Sequence, residues 1–251
     1  MVRGLYTAAA GMMAQQVRVD TIANNLANVD TSGYKRDEAA IRSFPEMVIS
    51  RLDRPAAVPI GRLVTGSVVD EIGTSDRQGP LRETGNPLDF ALQGNAFFAV
   101  RTAGGDIGYT RQGSFVLDGN GRLVTTAGHV VLGIANGRMG EIYLPGGDLQ
   151  VSRDGSISGA VNAQGEVVER FVLVGKPLGQ GWRKEGDSLY RGAAAQVQNF
   201  EVRQGYLEGS NVNPLSEMVA MMSAVKAYEA SQKVIQATDS TLEKANEIGR
   251  V

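Results

Sequence analysis

Few residues of this chain have the chemical character and spacing of a catalytic site. The chain has one histidine, His129, and no cysteine, so a Ser-His or Cys-His pair would depend on that single side chain. No serine lies in the G-x-S-x-G pattern that exposes a nucleophile. We therefore predict that His129 is a structural or surface residue and that the chain is not an enzyme.

Two acidic patterns fit turns better than ligand sites. The segment Asp118-Gly-Asn-Gly-Arg122 starts like a calcium-binding loop, but Leu123 stands where that loop needs glycine and His129 where it needs glutamate. Asp148 and Asp154 flank a short predicted hairpin, where solvated turn acids are usual. We predict a hairpin turn at residues 118–122 and neither a metal site nor a cofactor.

Three aromatic residues suggest the main alternative function. Trp182, Tyr190 and Phe200 would form a stacking platform in a secreted, β-rich carbohydrate-active enzyme or adhesin with helical tails. That function also requires a carboxylate pair beside the platform. Aromatic residues make up only 6% of the chain, which favours their use in a hydrophobic core.

The composition is that of a globular protein with one large domain or two smaller ones. The chain has 251 residues, of which 42% are hydrophobic and 21% charged. A net charge of −2 argues against a nucleic-acid partner. No apolar run reaches the roughly 18 residues of a membrane span, and the first residues, with only Arg3 as a positive charge, do not form a cleaved signal peptide. We expect no lipid anchor.

The elements that must carry any function are two long helices at the ends of the chain. Glycine-free stretches run from about Ala14 to Asn28 and from about Pro214 to Ile248, whereas 24 of the 32 glycines lie between Gly85 and Gly209. Turns therefore crowd the middle of the chain, and continuous helix is confined to its ends.

The N-terminal stretch carries a heptad pattern. Leu5, Met12, Val19 and Leu26 recur every seven residues, and Ile22 fills an intermediate position. The outer face is mostly uncharged and includes the amides of residues 24 and 25. Because an amide can bond to a neighbouring backbone without the desolvation cost of a charge, we expect this helix to be packed on several sides.

The C-terminal stretch has a clear helix start and an apolar stripe. Asn213 is a good N-cap, Pro214 suits the first helical position, and Glu217 lies in the first turn. Apolar residues then follow at spacings of three and four, at Met218, Met221, Val225, Tyr228, Ile235 and Leu242. We predict that the two terminal helices pair as a coiled coil, and that their helix content rises when copies of the chain polymerise.

The middle of the chain predicts antiparallel β-structure. Short apolar runs alternate with Asp-Gly and Asn-Gly turns, which is typical of an antiparallel barrel or sandwich. The predicted fold class is α+β with four parts: the N-terminal helix at 1–35, an extended, proline-containing connector at 36–87, the central β-domain at 88–203, and a return segment with the C-terminal helix at 204–251.

Several motifs closely resemble the bacterial flagellar rod and hook axial proteins. The segment IANNLANVDTSGYKR at 22–36 resembles the N-terminal signature of that family. TGNPLDFAL at 84–92, YTRQGSF at 109–115 and QGYLEGSNVN at 204–213 are similar to its later signatures. The resemblance covers about Arg3 to Pro45, Thr84 to Gly128 and Gln204 to the end. A phage tail-tube or tail-tip subunit, a second alternative, would lack the ANNLAN segment.

This resemblance implies a structural subunit of the flagellar rod in the basal body. The chain lacks room for the outer domain of a hook protein. Distal and proximal rod both stay open, with TGNPLDFAL and QGYLEGSNVN favouring the distal type. The implied protein is exported by the flagellar type III apparatus without a cleaved signal. It polymerises helically, with copies of itself and with other rod and hook axial proteins, into the drive shaft that transmits torque from motor to hook.

The predicted assembly interface combines the helical seams with the asparagines of the N-terminal signature. Its residues are Leu5, Met12, Val19, Ile22, Asn24, Asn25, Leu26, Asn28, Met218, Met221, Val225, Tyr228, Ile235 and Leu242.

Overall fold

The described part of the chain contains twenty short strands, bracketed along the sequence by two long helices. The structure, a computed structural model, describes residues 2–53, 56–63, 65–146, 149–177, 182–197 and 199–249. The chain divides into two units. The helical unit comprises Met1–Ala27, Arg36–Ser75 and Val212–Val251, and the β-unit comprises Asn28–Lys35 and Asp76–Asn211. The fold class is α+β.

The helical unit contains both helices and four strands. These are α1 (Val2–Ala27), β1 (Asp37–Ser43), β2 (Met47–Asp53), β3 (Ala56–Leu63), β4 (Ser67–Thr74) and α2 (Pro214–Ile248). β1 pairs with β4 and β2 pairs with β3, both antiparallel. α1 contacts α2, β1 and β4. The heptad pattern that begins at Leu5 explains why α1 starts before the glycine-free stretch at Ala14 and continues through Gly4 and Gly11.

The segment predicted as an extended connector forms strands β1 to β4 over most of its length. Two register shifts interrupt these pairs, at Ala40/Ile41 in β1 and at Ile49/Ser50 in β2. Ser50 lies opposite Pro59, a residue that has no backbone N–H to donate, so the irregularity falls where a regular ladder could not continue. The four-part domain division stays a prediction.

The β-unit consists of sixteen strands in the described residues, most of them two to five residues long. They are β5 (Leu81–Glu83), β6 (Phe90–Gly94), β7 (Phe97–Arg101), β8 (Ile107–Thr110), β9 (Phe115–Leu117), β10 (Leu123–Thr125), β11 (Val130–Ala135), β12 (Arg138–Glu141), β13 (Gln150–Val151), β14 (Ile157–Ser158), β15 (Arg170–Phe171), β16 (Leu173–Val174), β17 (Arg183–Glu185), β18 (Leu189–Arg191), β19 (Phe200–Gln204) and β20 (Tyr206–Glu208).

The expected barrel is wrong for the described residues, because no sheet there closes on itself. Ten strands form one antiparallel sheet with the path β17-β18-β8-β7-β11-β10-β9, from which β12, β15 and β16 branch. The end strands β17 and β9 are not paired with each other. β5 and β20, β6 and β19, and β13 and β14 form separate two-stranded sheets. A barrel requires its two end strands to pair with a fixed stagger, and that pairing is missing in the described residues. A sandwich-like packing stays a prediction.

Phenylalanines fill the core of the β-unit. Phe90, Phe98, Phe115 and Phe171 are at most 2% exposed, and their neighbouring ring centroids lie 5.1–6.4 Å apart. Several pairs are edge-to-face, the arrangement that the ring quadrupole favours. This core holds β6 and β7, next to which the buried charges of the β-unit lie.

Candidate assembly site

The start of α2 has the cap that the sequence predicts. The Asn213 side chain accepts hydrogen bonds from the backbone N–H groups of Leu215 (3.0 Å) and Ser216 (3.2 Å), and Pro214 follows at the first helical position. Glu217 is the acidic residue of the first turn. These contacts satisfy the first unpaired N–H groups of the helix and fix where it begins.

α1 and α2 run antiparallel and pack closely. Asn25, near the end of α1, lies 3.4 Å from Glu217, near the start of α2. Gly11, which comes earlier in α1, faces Ser231, which comes later in α2. A side-chain carbon added at Gly11 would lie 3.8 Å from Ser231 Oγ, an ordinary van der Waals distance, so the two helices are neighbours at this level.

Asn25 joins three elements of the helical unit. Its Nδ2 donates to the Asp37 carbonyl (2.8 Å), and its Oδ1 accepts from the Asp37 backbone N–H (2.9 Å), so the side chain bonds to the first residue of β1 as a neighbouring strand would. The Arg36 guanidinium forms an ion pair with Glu217 (2.6 Å). The expectation that an amide of this segment bonds to a neighbouring backbone is confirmed at Asn25.

The predicted interface residues divide by exposure. Ile22 and Asn25 are buried. The half-buried residues are Leu5, Met12, Val19, Leu26, Asn28, Met221, Tyr228 and Ile235. The exposed residues are Asn24, Met218, Val225 and Leu242. The part that these side chains play between copies of the chain stays a prediction.

The inward face of α2 includes Met221, Tyr228 and Ile235 of the predicted apolar stripe, but beside Met218 and Val225 it lies one residue earlier. Its least exposed positions recur at spacings of three and four, at Glu217, Met221, Ala224, Tyr228, Ser231, Ile235 and Thr238. Only Glu217 and Ala224 are fully buried among the described residues of this 35-residue helix. An apolar groove between the helices is lined by Ala9, Met12, Met13, Gln16, Val17, Tyr228 and Ile235.

A second cluster, in the β-unit, is a buried network of charges around Glu208, a residue outside the set predicted from the sequence. Its Oε1 lies 2.7 Å from Lys35 Nζ and its Oε2 lies 2.5 Å from Arg111 Nε, with all three side chains at most 3% exposed. The backbone N–H of Gly79 also donates to Oε1 (2.9 Å). Both carboxylate oxygens therefore have partners, as a buried charge requires.

The two cations have further acceptors of their own. Lys35 Nζ donates to the Arg77 carbonyl (2.8 Å), and Arg111 donates to the carbonyls of Leu92 (2.8 Å) and Ala96. Burial lowers the pKa of the Lys35 ammonium below its usual range, and the neighbouring Glu208 carboxylate partly offsets that effect.

The motifs themselves contained the signal for this network. Lys35 ends the TSGYK segment, Arg111 lies in YTRQGSF, and Glu208 lies in QGYLEGSNVN. Each motif therefore holds a charged residue among small, polar and aromatic neighbours. What the sequence did not reveal is that three positions so far apart in the chain would meet.

The discounted catalytic candidates fall in ordinary environments. Among the described residues, the nearest acid to His129 Nε2 that forms an ion-pair contact is Asp187, at 4.0 Å, and neither ring nitrogen of His129 has a hydrogen-bond partner. The described residues contain no group of three or more potential metal-ligating side chains. Residues 118–122 form the predicted turn, in which the Asp118 carboxylate accepts from the backbone N–H groups of Asn120 and Arg122.

The aromatic platform proposed for the alternative function is part of the interior. Trp182 and Tyr190 are buried beside Phe97, with the Trp182 and Phe97 ring centroids 4.8 Å apart. Phe200 packs against the main core. Asp154 is an exposed turn acid bonded to Ser156, and Asp148 lies outside the described residues.

Neither of the two helices is apolar enough over a sufficient length to cross a membrane in its described residues.

Three protein-family models match the chain, and together they define its class. The model described as flagella basal body rod protein matches residues 5–35, the flagellar hook protein FlgE/F/G D1 domain matches 91–170, and the flagellar basal body rod FlgEFG protein C-terminal model matches 203–248. The middle match extends well past Gly128, the last residue of the region in which the motifs carry the resemblance. These are structural proteins of the flagellar axis.

Full-length relatives narrow the class to a family. The chain is 35% identical to flagellar basal-body rod protein FlgG of Borreliella burgdorferi and 34% identical to flagellar hook-basal body complex protein FlhO of Bacillus subtilis, each over 100% of both chains. It is 33% identical to flagellar basal-body rod protein FlgF of Caulobacter vibrioides over 95% of this chain and 94% of that one. The chain belongs to the flagellar basal-body rod protein family.

Proposed function

We propose that the chain is a structural subunit of the bacterial flagellar rod, and that its copies polymerise helically into the shaft that transmits torque from motor to hook. Family membership supports the rod assignment. Nothing in the described residues supports the carbohydrate-active enzyme or adhesin, because its aromatic platform is buried. The role is one of assembly rather than catalysis.

The observation that supports the assembly mechanism is that much of the apolar surface of α2 is exposed in a single copy. The helix leaves large apolar side chains uncovered at Leu215, Met218, Val219, Met222, Val225, Val234, Leu242 and Ile248, which are 37–77% exposed. Full burial of such a side chain is worth about 1.5–3 kcal/mol, so covering the remaining half of each yields roughly 1 kcal/mol. Contact with further copies therefore supplies the stabilisation that one copy lacks.

The coiled-coil pairing of α1 and α2 belongs to this proposal. Met221, Tyr228 and Ile235 recur every seven residues on the inward face of α2, and Met12 of α1 lies in the same groove as Tyr228 and Ile235. That recurrence is the spacing of a heptad seam. Contacts between the β-units of neighbouring copies would add stiffness to the shaft.

The proposed partners are copies of the chain, other rod and hook axial proteins, and the flagellar export apparatus. Relatives named as rod and hook-basal body complex proteins support the rod and hook axial partners. The proposed location is the basal body, reached by type III export without a cleaved signal. Loss of the chain from the exported fraction in cells that lack the export apparatus would test that route.

Polymerisation of the purified chain tests the proposed function. Sedimentation and electron microscopy over a concentration series should show filaments, and far-ultraviolet circular dichroism should show helix content rising as they form. A Met222→Glu variant should polymerise poorly, because it places a carboxylate on the exposed apolar face of α2. Gln236→Glu is the matched control, since Gln236 is exposed on the same face where that face is already polar.

Two results would count against the proposal. A chain that stays monomeric at all concentrations is not a self-assembling subunit. If Met222→Glu and Gln236→Glu impair polymerisation equally, assembly does not depend on the apolar face of α2.

A further inference from the structure

A short loop of the β-unit lies, in sequence, between two segments of the helical unit. It comprises residues 28–35, which we call the latch loop, and it follows the end of α1 at Ala27. The Asn25 side chain bonds to the backbone N–H and carbonyl of Asp37, so the chain is joined across the base of the loop. The latch loop contains neither helix nor strand. Its contacts with the rest of the β-unit therefore decide its position.

The latch loop is docked through its last residues. The Gly33 N–H donates to the Glu208 carbonyl (2.7 Å), and the Tyr34 carbonyl accepts from the Asn211 N–H (3.4 Å). Lys35 enters the Glu208 network, with its Nζ 2.7 Å from the carboxylate. Tyr34 and Lys35 are at most 3% exposed. The loop is thus held in the β-unit by tertiary contacts alone, as a peptide is held in a binding slot.

Two further features shape this slot. Lys184 of β17 covers it, since its Nζ donates to the Lys35 carbonyl (3.0 Å) and lies 3.8 Å from the centroid of the Tyr34 ring. Gly33 lies against the backbone of Arg111, where an added side-chain carbon would be only 2.6 Å from the carbonyl carbon. Gly33 also has a φ of +70°, which glycine adopts without strain. The slot therefore accepts the loop only with glycine at this position.

The slot gathers the places where the chain passes between the two units. These passages are at 27/28, 35/36, 75/76 and 211/212. Lys35 Nζ and Asn211 Nδ2 both donate to the Arg77 carbonyl, at 2.8 and 3.0 Å. Residues beside three of the passages thus meet at one carbonyl group. Since the latch loop spans the first two passages, its docking ties all four together.

The charges of the network favour release of the loop over rupture of the β-unit. Glu208 has two cationic partners, Lys35 and Arg111. If the loop leaves, the Lys35 ammonium regains water, and a neutral Glu208–Arg111 pair stays behind in the interior. No buried charge is then left without a partner, which is the condition that makes breaking a buried ion pair costly.

We propose that the latch loop is a two-state device, docked or released, and that a copy polymerises only with the loop docked. Release breaks the tertiary contacts of residues 33–35 but no strand pairing, so the loop leaves as one piece while the β-unit stays folded. Docking fixes the passages through which the β-unit continues into the helices that assemble. The consequence for assembly rests on the proposed function, whereas the docking and release of the loop do not.

Substitution of Gly33 tests the latch. Gly33→Ala should eject the loop, because the new Cβ would overlap the Arg111 carbonyl group. Gly85→Ala is the matched control, since Gly85 has a φ of +71° and open space around it. The two variants therefore carry the same backbone strain and differ in whether the added carbon has room.

Hydrogen exchange of the full chain, measured by mass spectrometry below the concentration of polymerisation, reports the state of the loop. In Gly33→Ala, peptides over 28–35 should exchange at least about tenfold faster, whereas peptides over β7 and β11 keep the protection of the unsubstituted chain. The peptide that contains Asn211 should lose protection together with the loop. Gly85→Ala should leave the loop protected.

A second variant acts from outside the loop. Lys184→Met removes the cover of the slot and leaves Gly33 unchanged, so it keeps the test open if Gly33→Ala does not fold. It should speed exchange over 28–35 by a smaller factor than Gly33→Ala. Arg183→Met, at the exposed neighbouring position, is its control and should have no effect on the loop. If both Gly33→Ala and Lys184→Met leave the loop protected, or expose β7 and β11 as much as the loop, the latch is overturned.

Polymerisation of the same variants tests the consequence for assembly. If Gly33→Ala leaves about one copy in ten with its loop docked, the concentration needed for polymerisation should rise about tenfold, because only docked copies add. Gly85→Ala should polymerise as the unsubstituted chain does. A released loop with an unchanged threshold overturns the link to assembly and leaves the rod subunit standing. An unsubstituted chain that never polymerises overturns the proposed function, while the exchange data still decide whether the loop is a latch.

Discussion

Replacing Glu208 with glutamine removes the negative charge that Lys35 and Arg111 share inside the β-unit. Glutamine has nearly the same shape, so the packing around position 208 is kept while two buried cations lose their counter-charge. Lys35 and Arg111 are at most 3% exposed and cannot turn to water without opening the fold. The variant therefore measures the cost of leaving charge unpaired in this interior.

The expected loss is large on the scale of a single substitution. Removing one partner of a buried ion pair typically costs about 3–5 kcal/mol. Domains of this size lose about 1–3 kcal/mol of stability per molar urea, so the unfolding midpoint of the β-unit should fall by roughly 2 M. Asp106→Asn is the control, because its ion pair with Arg191 (2.9 Å) is 40–61% exposed and should contribute far less.

The fluorescence of the single tryptophan is the assay. Trp182 is buried in the β-unit against Phe97 and Tyr190, so its emission reports the unfolding of that unit. A second variant, Lys35→Met combined with Glu208→Gln, should recover part of the loss, because one of the two unpaired cations is then absent.

A Glu208→Gln midpoint that moves no further than the Asp106→Asn midpoint would refute this account of the network. Such a result would mean that water reaches the two cations, or that they move towards solvent, so that loss of the Glu208 charge costs little.

Three further predictions concern other parts of the chain. Asn25→Asp should lower the stability of the helical unit by about 1–3 kcal/mol, because an aspartate cannot donate to the Asp37 carbonyl. Thermal melting followed by circular dichroism measures this, and an equal effect of Asn24→Asp, at the exposed neighbouring position, would contradict it. Gly113→Ala should strongly destabilise the β-unit in urea titrations, because its Cβ would overlap the Phe90 carbonyl oxygen. Gly119→Ala is the control and should be tolerated, since there is open space at that position. Similar unfolding midpoints for the two variants would show the reasoning to be mistaken. Burial lowers the pKa of Lys35 from its ordinary value of 10.5, so between the folded pKa and 10.5 the unfolded chain binds the extra proton and the free energy of unfolding rises with pH. Lys35→Met should lack that rise, and parallel pH profiles for the two proteins would argue against it.

The limits of α2 were predictable because its signals are local. A capping asparagine, a proline at the first helical position and a glycine-free run of 35 residues fix the helix between Pro214 and Ile248. Which face of α2 points inward was not predictable from apolar residues alone. The inward face includes Glu217 and Ser231, which are polar, and the first third of the helix is apolar on the outer face as well.

The pairing of the strands in the helical unit was missed for a different reason. Proline normally argues against a strand, and residues 36–87 contain five prolines, so an extended connector was the natural expectation. The structure places Pro59 opposite the register shift in β2, within a two-stranded sheet where a missing donor is tolerated. Composition does not reveal that a proline faces an irregularity.

The Glu208 network was out of reach because its partners are far apart in sequence. Lys35 lies 173 residues from Glu208, and Arg111 lies 97 residues from it. The motifs indicate that each charge belongs to a signature. Only the fold shows that the three side chains meet in the buried interior of the β-unit, where their charges offset one another.

Imaging of basal bodies tests the central claim most directly. Cells whose only copy of this chain lacks residues 214–251 should build basal bodies that stop before the hook and should not swim, while an immunoblot confirms that the shortened chain is made. Complete rods and normal swimming in those cells would contradict assembly through the terminal helices.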